Sequence, residues 1–129
     1  MNLTRDFAEY LQDNLFAVFG TDLFIGGVPD NAPSSSWWIV SAGGTPVIKN
    51  ETNEKIKSYI INVFYRDTNG ETVYDLLQLL EEQINSDPCP ELSNYEVVEF
   101  EATLFGTDQD LDVQDRTVGL LQATLTIHA

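Results

Sequence analysis

The sequence contains few of the residues on which catalytic and metal sites most often depend. Its 129 residues include one cysteine, Cys89, which lies between two prolines, and one histidine, His128, next to the carboxyl end. One cysteine can form neither an internal disulfide nor a cysteine metal cluster. With no second histidine, neither a histidine-based zinc site nor a catalytic triad can be assembled within one chain. We therefore expect no enzymatic activity and no cofactor.

Basic residues are also scarce. The chain has six Lys and Arg residues and 21 Asp and Glu residues, which gives a formal net charge of −15. Such a surface repels the phosphates of DNA and RNA, so we do not expect nucleic-acid binding through a basic face. Two interpretations of the charge remain. It keeps an acidic protein soluble, or it forms a surface that stays near nucleic acid without binding it.

Long hydrophobic runs are absent as well, so the sequence predicts no membrane span. The amino-terminal residues lack the charged start and apolar core of a secretory signal, which favours a cytosolic product. A hydrophobic content of 43%, including seven Phe, five Tyr and two Trp residues, argues against disorder. The length suits one domain, and we assign residues 1–129 to it.

The clearest local pattern is a strand, a turn and a helix near the middle of the chain. Residues 56–66 are rich in β-branched and aromatic types, which favour a strand. Residues 67–70 favour a turn, and Thr68 and Glu71 have the spacing of a capping box. The apolar period then changes from two to about 3.6 residues. This predicts an amphipathic helix with an apolar face formed by Val73, Leu76, Leu77, Leu80 and Ile84.

The remaining elements are predicted from the same periodicities. A first amphipathic helix, ending near Gly20, is indicated by apolar residues at three- and four-residue steps: Leu3, Phe7, Leu11, Leu15 and Val18. Short strands are expected over residues 23–28 and 37–42, and residues 95–105 and 116–128 alternate between an apolar and a polar face. The last strands therefore indicate helices on one side of the sheet only. We predict a two-layer α+β fold, in which a mostly antiparallel or mixed sheet of about five strands has two helices packed on one face.

A basic segment is the first candidate for a contact with another subunit. Residues 43–54 form the longest irregular stretch, and Lys49, Lys55 and Lys57 make up half of the chain's Lys and Arg residues. One interpretation is a solvated loop. The other is a cationic arm that pairs with the acidic surface of a neighbouring subunit.

Two further features are candidates for subunit contacts. The adjacent Trp37 and Trp38 offer large apolar areas, which suit either a core or an interface. Glu99 and Glu101 form a polar stripe on one face of a predicted strand. These four residues join the three lysines as the predicted interface.

An acidic loop is the only candidate for metal binding. Asp108, Asp110 and Asp112 have the spacing of the first oxygen ligands in an EF-hand calcium loop. The pattern then fails, because Val113 replaces the glycine of the turn and Gly119 replaces the bidentate glutamate. Calcium binding and a solvated acidic loop are the two interpretations of this segment.

The order of these elements resembles that of the tail terminator proteins of long-tailed bacteriophages, also called tail completion or minor capsid proteins. Four segments carry the likeness: FIGGVPDNAP, WWIVSAGG, IKSYIINVFYRD and ETVYDLLQLLEEQIN. The most telling piece is the strand that ends in aromatic residues and Arg66, followed by a turn and an acidic amphipathic helix. The resemblance covers nearly the whole chain and brings no catalytic, cofactor-binding or metal-binding residues with it.

Membership of that family would imply a homohexameric ring that caps the tail tube, stops its polymerisation and joins the tail to the head. Its partners would be further copies of itself, the tail tube protein and the head–tail connector protein. DNA would pass through the ring without specific binding, and the ring would be assembled in the host cytoplasm as part of the virion tail. The charge of −15 would then keep the genome sliding. A small acidic adaptor or regulatory module without catalytic activity, and a calcium-dependent module, are the alternatives.

Overall fold

The structure, a computed structural model, describes residues 3–14, 16–44, 48–49, 55–86, 88–92, 95–108 and 116–128. Two helices and six strands follow one another along these residues. They are α1 (Leu3–Asp13), β1 (Leu23–Ile25), β2 (Ser36–Gly44), β3 (Ile48–Lys49), β4 (Lys55–Asp67), α2 (Gly70–Ile84), β5 (Val97–Asp108) and β6 (Thr117–His128).

The strands form one mixed sheet in the order β1-β2-β4-β6-β5, with the two-residue β3 paired to β4 beside this path. β1 runs parallel to β2, and all other neighbours are antiparallel. β4 and β6 are the long central pair, in register from Ile56 opposite His128 to Asp67 opposite Thr117. The predicted mixed α+β sheet is confirmed.

Both helices cover the same face of this sheet. In β6 the odd-numbered residues are buried, Leu121 and Leu125 completely, whereas the even-numbered residues are half-buried. The Phe7 ring of α1 packs edge-on against Phe100 of β5 at 5.9 Å. α2 contributes four fully buried side chains: Val73, Leu77, Leu80 and Ile84. The prediction of two helices on one face is therefore confirmed.

The opposite face, which we call the open face, has neither helix packed on it. It carries the even-numbered residues of β4 and β6, together with Phe24 of β1, Trp38 and Val40 of β2, and Glu99 and Glu101 of β5. These positions follow from the strand registers and from the alternation of side chains along each strand.

The first helix ends earlier than its periodicity predicts. α1 stops at Asp13 and not near Gly20. The Asn14 backbone N–H makes the last helical bond, to the Tyr10 carbonyl at 3.1 Å, and the Asn14 side-chain amide donates to the same carbonyl at 2.8 Å. The Phe16 N–H then donates to the Leu11 carbonyl, five residues back, at 3.0 Å, so the helical pattern has ended. Beyond it Val18, which was predicted on the buried stripe, is 55% exposed.

Two further sequence predictions, for the cap of α2 and for one residue of β5, are also wrong. The cap of α2 is Asn69 and not Thr68, because the Asn69 side-chain oxygen accepts from the backbone N–H of Glu71 and Thr72 at 3.0 and 3.3 Å. The alternation over residues 95–105 predicts Val98 on the same apolar face as Phe100, Ala102 and Leu104, but Val98 is 42% exposed. A β-bulge in this part of β5 shifts the alternation by one residue.

Side chains near the end of α2 cover the outer edge of the sheet. Asn85, which follows α2, accepts a hydrogen bond from the Ala102 backbone N–H at 2.8 Å and donates one to the Ala102 carbonyl at 2.9 Å. The Glu81 carboxylate accepts from the Leu104 N–H at 2.6 Å. β5 is an edge strand, so such backbone groups would otherwise be open to pairing with another chain. This part of the edge is therefore closed.

Candidate assembly surfaces

The predicted cationic segment lies where β3 meets β4. Lys49 of β3 pairs with Lys55 at the start of β4. Lys55 is exposed, and the Lys57 ammonium lies 5.0 Å from the centre of the Tyr59 ring, where a cation–π contact stabilises it. Backbone pairing thus gathers the three lysine positions at one end of the central strand. Residues 45–47 and 50–54 of the predicted arm lie outside the described residues.

The two adjacent tryptophans have different environments, because consecutive residues of a strand point to opposite faces. Trp37 is 1% exposed and lies in the core, with its ring 4.4 Å from that of Tyr65 and 5.7 Å from that of Phe16. Trp38 lies on the open face and stacks on Phe64 at 5.1 Å with an interplanar angle of 6°. Of this pair, Trp38 is the residue placed to meet a partner, and its interface role stays a prediction.

The predicted glutamate stripe lies on the open face of β5. Glu99 stands opposite Thr126 and Glu101 opposite Thr124, and both glutamates are exposed. A side-chain hydrogen bond with Glu101 and the repulsion of its charge raise the pKa of Glu99 above its usual range. The two carboxylates therefore destabilise each other at neutral pH, and a cationic group would relieve this repulsion.

The described residues assemble no metal centre. No three His, Cys, Asp or Glu side chains among them are close enough together to hold a metal ion. Asp108 ends β5, and Asp110 and Asp112 of the calcium hypothesis lie outside the described residues. His128 lies with its Nε2 3.8 Å from the Glu96 carboxylate. Neither helix of the described chain is long and apolar enough to cross a lipid bilayer.

Strand pairing creates one surface that the sequence reasoning missed. Phe24, Trp38, Phe64 and Leu120 occupy adjacent register positions on four neighbouring strands. They form an apolar row across the open face, in which every member is half-buried by its neighbours. The sequence did indicate that β2 and β4 are apolar on both faces, which is a sign of a second apolar surface. Only the strand register shows that these four residues are neighbours.

The chain matches no protein family model and no curated protein. Among solved structures it is similar to a chain of "Virion of native gene transfer agent (GTA) particle", with a TM-score of 0.56 and 13% sequence identity. The match covers 100% of this chain and 100% of that chain. The two chains therefore share a fold along their entire lengths.

Proposed function

We propose that this protein is a structural, non-enzymatic component of a phage-like virion, which forms a ring at the end of the tail tube. The ring ends tail polymerisation and forms the joint to the head connector. The observation that carries this proposal is the full-length similarity of fold to a chain from a gene transfer agent virion. The order of elements supports it independently, because it resembles that of tail terminators.

The distribution of charge supports an assembly of like subunits. In a head-to-tail ring, one surface of each subunit meets a different surface of the next. The basic positions near Lys55 and the Glu99–Glu101 stripe have opposite charges and lie on strands separated by β6. Lysines from a neighbouring subunit would relieve the repulsion between the two glutamates.

The net charge also predicts how assembly depends on salt. Subunits that each carry −15 repel one another at long range, and the repulsion is strongest at low ionic strength. We expect the free protein to be monomeric or weakly associated at low salt. High salt, high concentration and the end of a tail tube favour the ring. The same charge would let DNA pass through the ring without binding.

Deleting the gene tests the proposal directly. Electron micrographs of the resulting particles should show overlong tails or tails that are not joined to heads. Tails of normal length joined to heads would contradict the proposed function.

Reversing the charge of the three lysines tests the role of the basic segment in assembly. The triple variant Lys49→Glu, Lys55→Glu, Lys57→Glu should block tail completion, while its circular dichroism spectrum stays that of the wild type. Arg5→Glu, a charge reversal in an exposed i,i+4 pair on α1, serves as the control and should complete tails. Normal tails from the triple variant would remove the segment from the mechanism.

A further inference from the structure

The charge of the open face differs from that of the chain as a whole. The chain carries −15, yet no acidic side chain stands on the open-face positions of β2, β4 or β6 within their described residues. The acidic residues of this face, Glu99 and Glu101, lie on the edge strand β5. A negatively charged partner therefore meets less repulsion over the centre of the open face than over its β5 edge.

Four polar side chains on this face are already paired with each other. Two residues from the apolar row along β4 and β6, the side-chain amide of Gln122 donates to the side-chain oxygen of Asn62 at 3.2 Å. This bond links the two strands. Further along the same pair of strands, the hydroxyls of Ser58 and Thr126 lie 2.8 Å apart in a hydrogen bond. Side chains that already make hydrogen bonds lose less when water is excluded, so burying these two pairs costs less than burying unpaired polar groups.

The edges of the sheet are poor alternatives for a contact between copies. Asn85 and Glu81 occupy backbone groups of β5 at one edge. At the other edge β1 has three residues, and a bulge interrupts β2 between Ser41 and Gly43. Short edge strands, bulges and covered backbone groups all oppose the addition of a further strand. Edge-to-edge strand pairing is therefore disfavoured as a contact between subunits, which leaves the open face as the better candidate.

We propose that the open face is the surface through which one copy of this chain packs against a second copy. The identity of the partner rests on the proposed ring, in which the neighbour carries the same charge of −15. In a head-to-tail ring the open face meets a different surface of the neighbour.

The size of the open face fits such a contact. Five strands spaced about 4.8 Å apart are roughly 24 Å wide, and the nine residues of β2 span roughly 30 Å. The product, roughly 700 Å², is the flat outline of the whole face, which is of the same order as the accessible area of about 800 Å² that each partner buries in a standard interface.

Two matched leucine substitutions test the proposal. Leu120→Lys places an ammonium in the apolar row, whereas Leu79→Lys makes the same change at a position on α2 that is 53% exposed. Sedimentation at high salt over a range of concentrations measures self-association, and circular dichroism confirms that each variant is folded. Leu120→Lys should associate at least about 100-fold more weakly than the wild type, because an unpaired ammonium would be buried. Leu79→Lys should associate like the wild type.

Tryptophan fluorescence supplies a second measurement that uses the wild-type chain. Acrylamide should quench the emission of Trp38 less as the protein concentration rises, because the second copy covers it. Trp37 is 1% exposed in the protomer, so its emission should not change. A Trp38→Phe variant should therefore lose the concentration-dependent protection.

The outcomes separate this inference from the proposed function. Association of Leu120→Lys at wild-type strength overturns the inference, and so does a wild type that stays monomeric at every salt and protein concentration. Protection of Trp38 by the tail tube protein, but not by a second copy, also overturns it. Normal tails after gene deletion would instead reject the tail function, while a sedimentation difference between the two leucine variants would still stand.

Discussion

Replacing Asn85 with alanine tests whether side chains of the α2 end close the outer edge of the sheet. The wild-type side chain makes two hydrogen bonds to the backbone of Ala102, at 2.8 and 2.9 Å. Alanine removes both bonds and fits the cap position at the end of α2, where φ is −82° and ψ is 5°. The perturbation is therefore confined to the edge of β5.

The expected loss of stability follows from those two hydrogen bonds. A hydrogen bond within a protein contributes a net of about 0.5–1.5 kcal/mol, so Asn85→Ala should lower the free energy of unfolding by about 1–3 kcal/mol. In urea the midpoint should fall while the slope stays unchanged. For a domain of this size the melting temperature should fall by about 3–5 °C per kcal/mol. Because the edge is then open to strand pairing, light scattering on heating should also begin earlier.

Asn31→Ala is the matched control, because Asn31 is exposed in the turn that follows Pro29. Its free energy of unfolding should stay within about 0.5 kcal/mol of the wild type. If Asn85→Ala is as stable as Asn31→Ala and aggregates no faster, the reasoning about the closed edge is refuted.

Two further predictions concern close packing and pH. Gly44→Ala should destabilise the protein by about 1–3 kcal/mol, because the new Cβ would overlap the Ser58 carbonyl oxygen, whereas Gly27→Ala, with open space around it, should change little in the same urea titration. Burial opposes ionisation of Asp67, but hydrogen bonds from Tyr65, Ser35 and the backbone outweigh it and lower the pKa of this carboxyl. Since the folded pKa lies below the unfolded value of about 3.9, this stabilisation is present above about pH 4 and is lost as the pH falls through the folded pKa. Unfolding measured from pH 6 to pH 2 should therefore show a smaller acid-induced loss in Asp67→Asn than in the wild type, and equal losses would contradict this assignment.

Periodicity was sufficient to predict most helices and strands and the face that each one buries. The alternation in β6 identified both the strand and its buried side, because successive side chains of a strand point in opposite directions. It failed where one side chain changes the backbone locally. α1 ends at Asp13, where the Asn14 side chain bonds the Tyr10 carbonyl, although the apolar pattern continues, and a bulge after Val97 turns Val98 out to solvent. Such local hydrogen bonds and bulges leave no periodic signal.

Some of the predicted assembly residues could also be placed from the sequence, whereas others could not. The sequence located the lysines and the glutamate stripe, since both are runs of one charge at short spacing. It left the roles of Trp37 and Trp38 open, because a strand with two apolar faces does not show which face the helices cover. The structure places Trp37 in the core and Trp38 on the open face.

The sequence by itself determined the acidity of the protein, the shortage of residues for catalysis, the order of its elements and the two faces of each strand. Only the tertiary structure decided which strands are neighbours and in which register. Phe24, Trp38, Phe64 and Leu120 lie far apart in the chain, yet strand pairing joins them into one row. The physical reason is that local periodicity orients side chains within an element, whereas the row depends on long-range pairing.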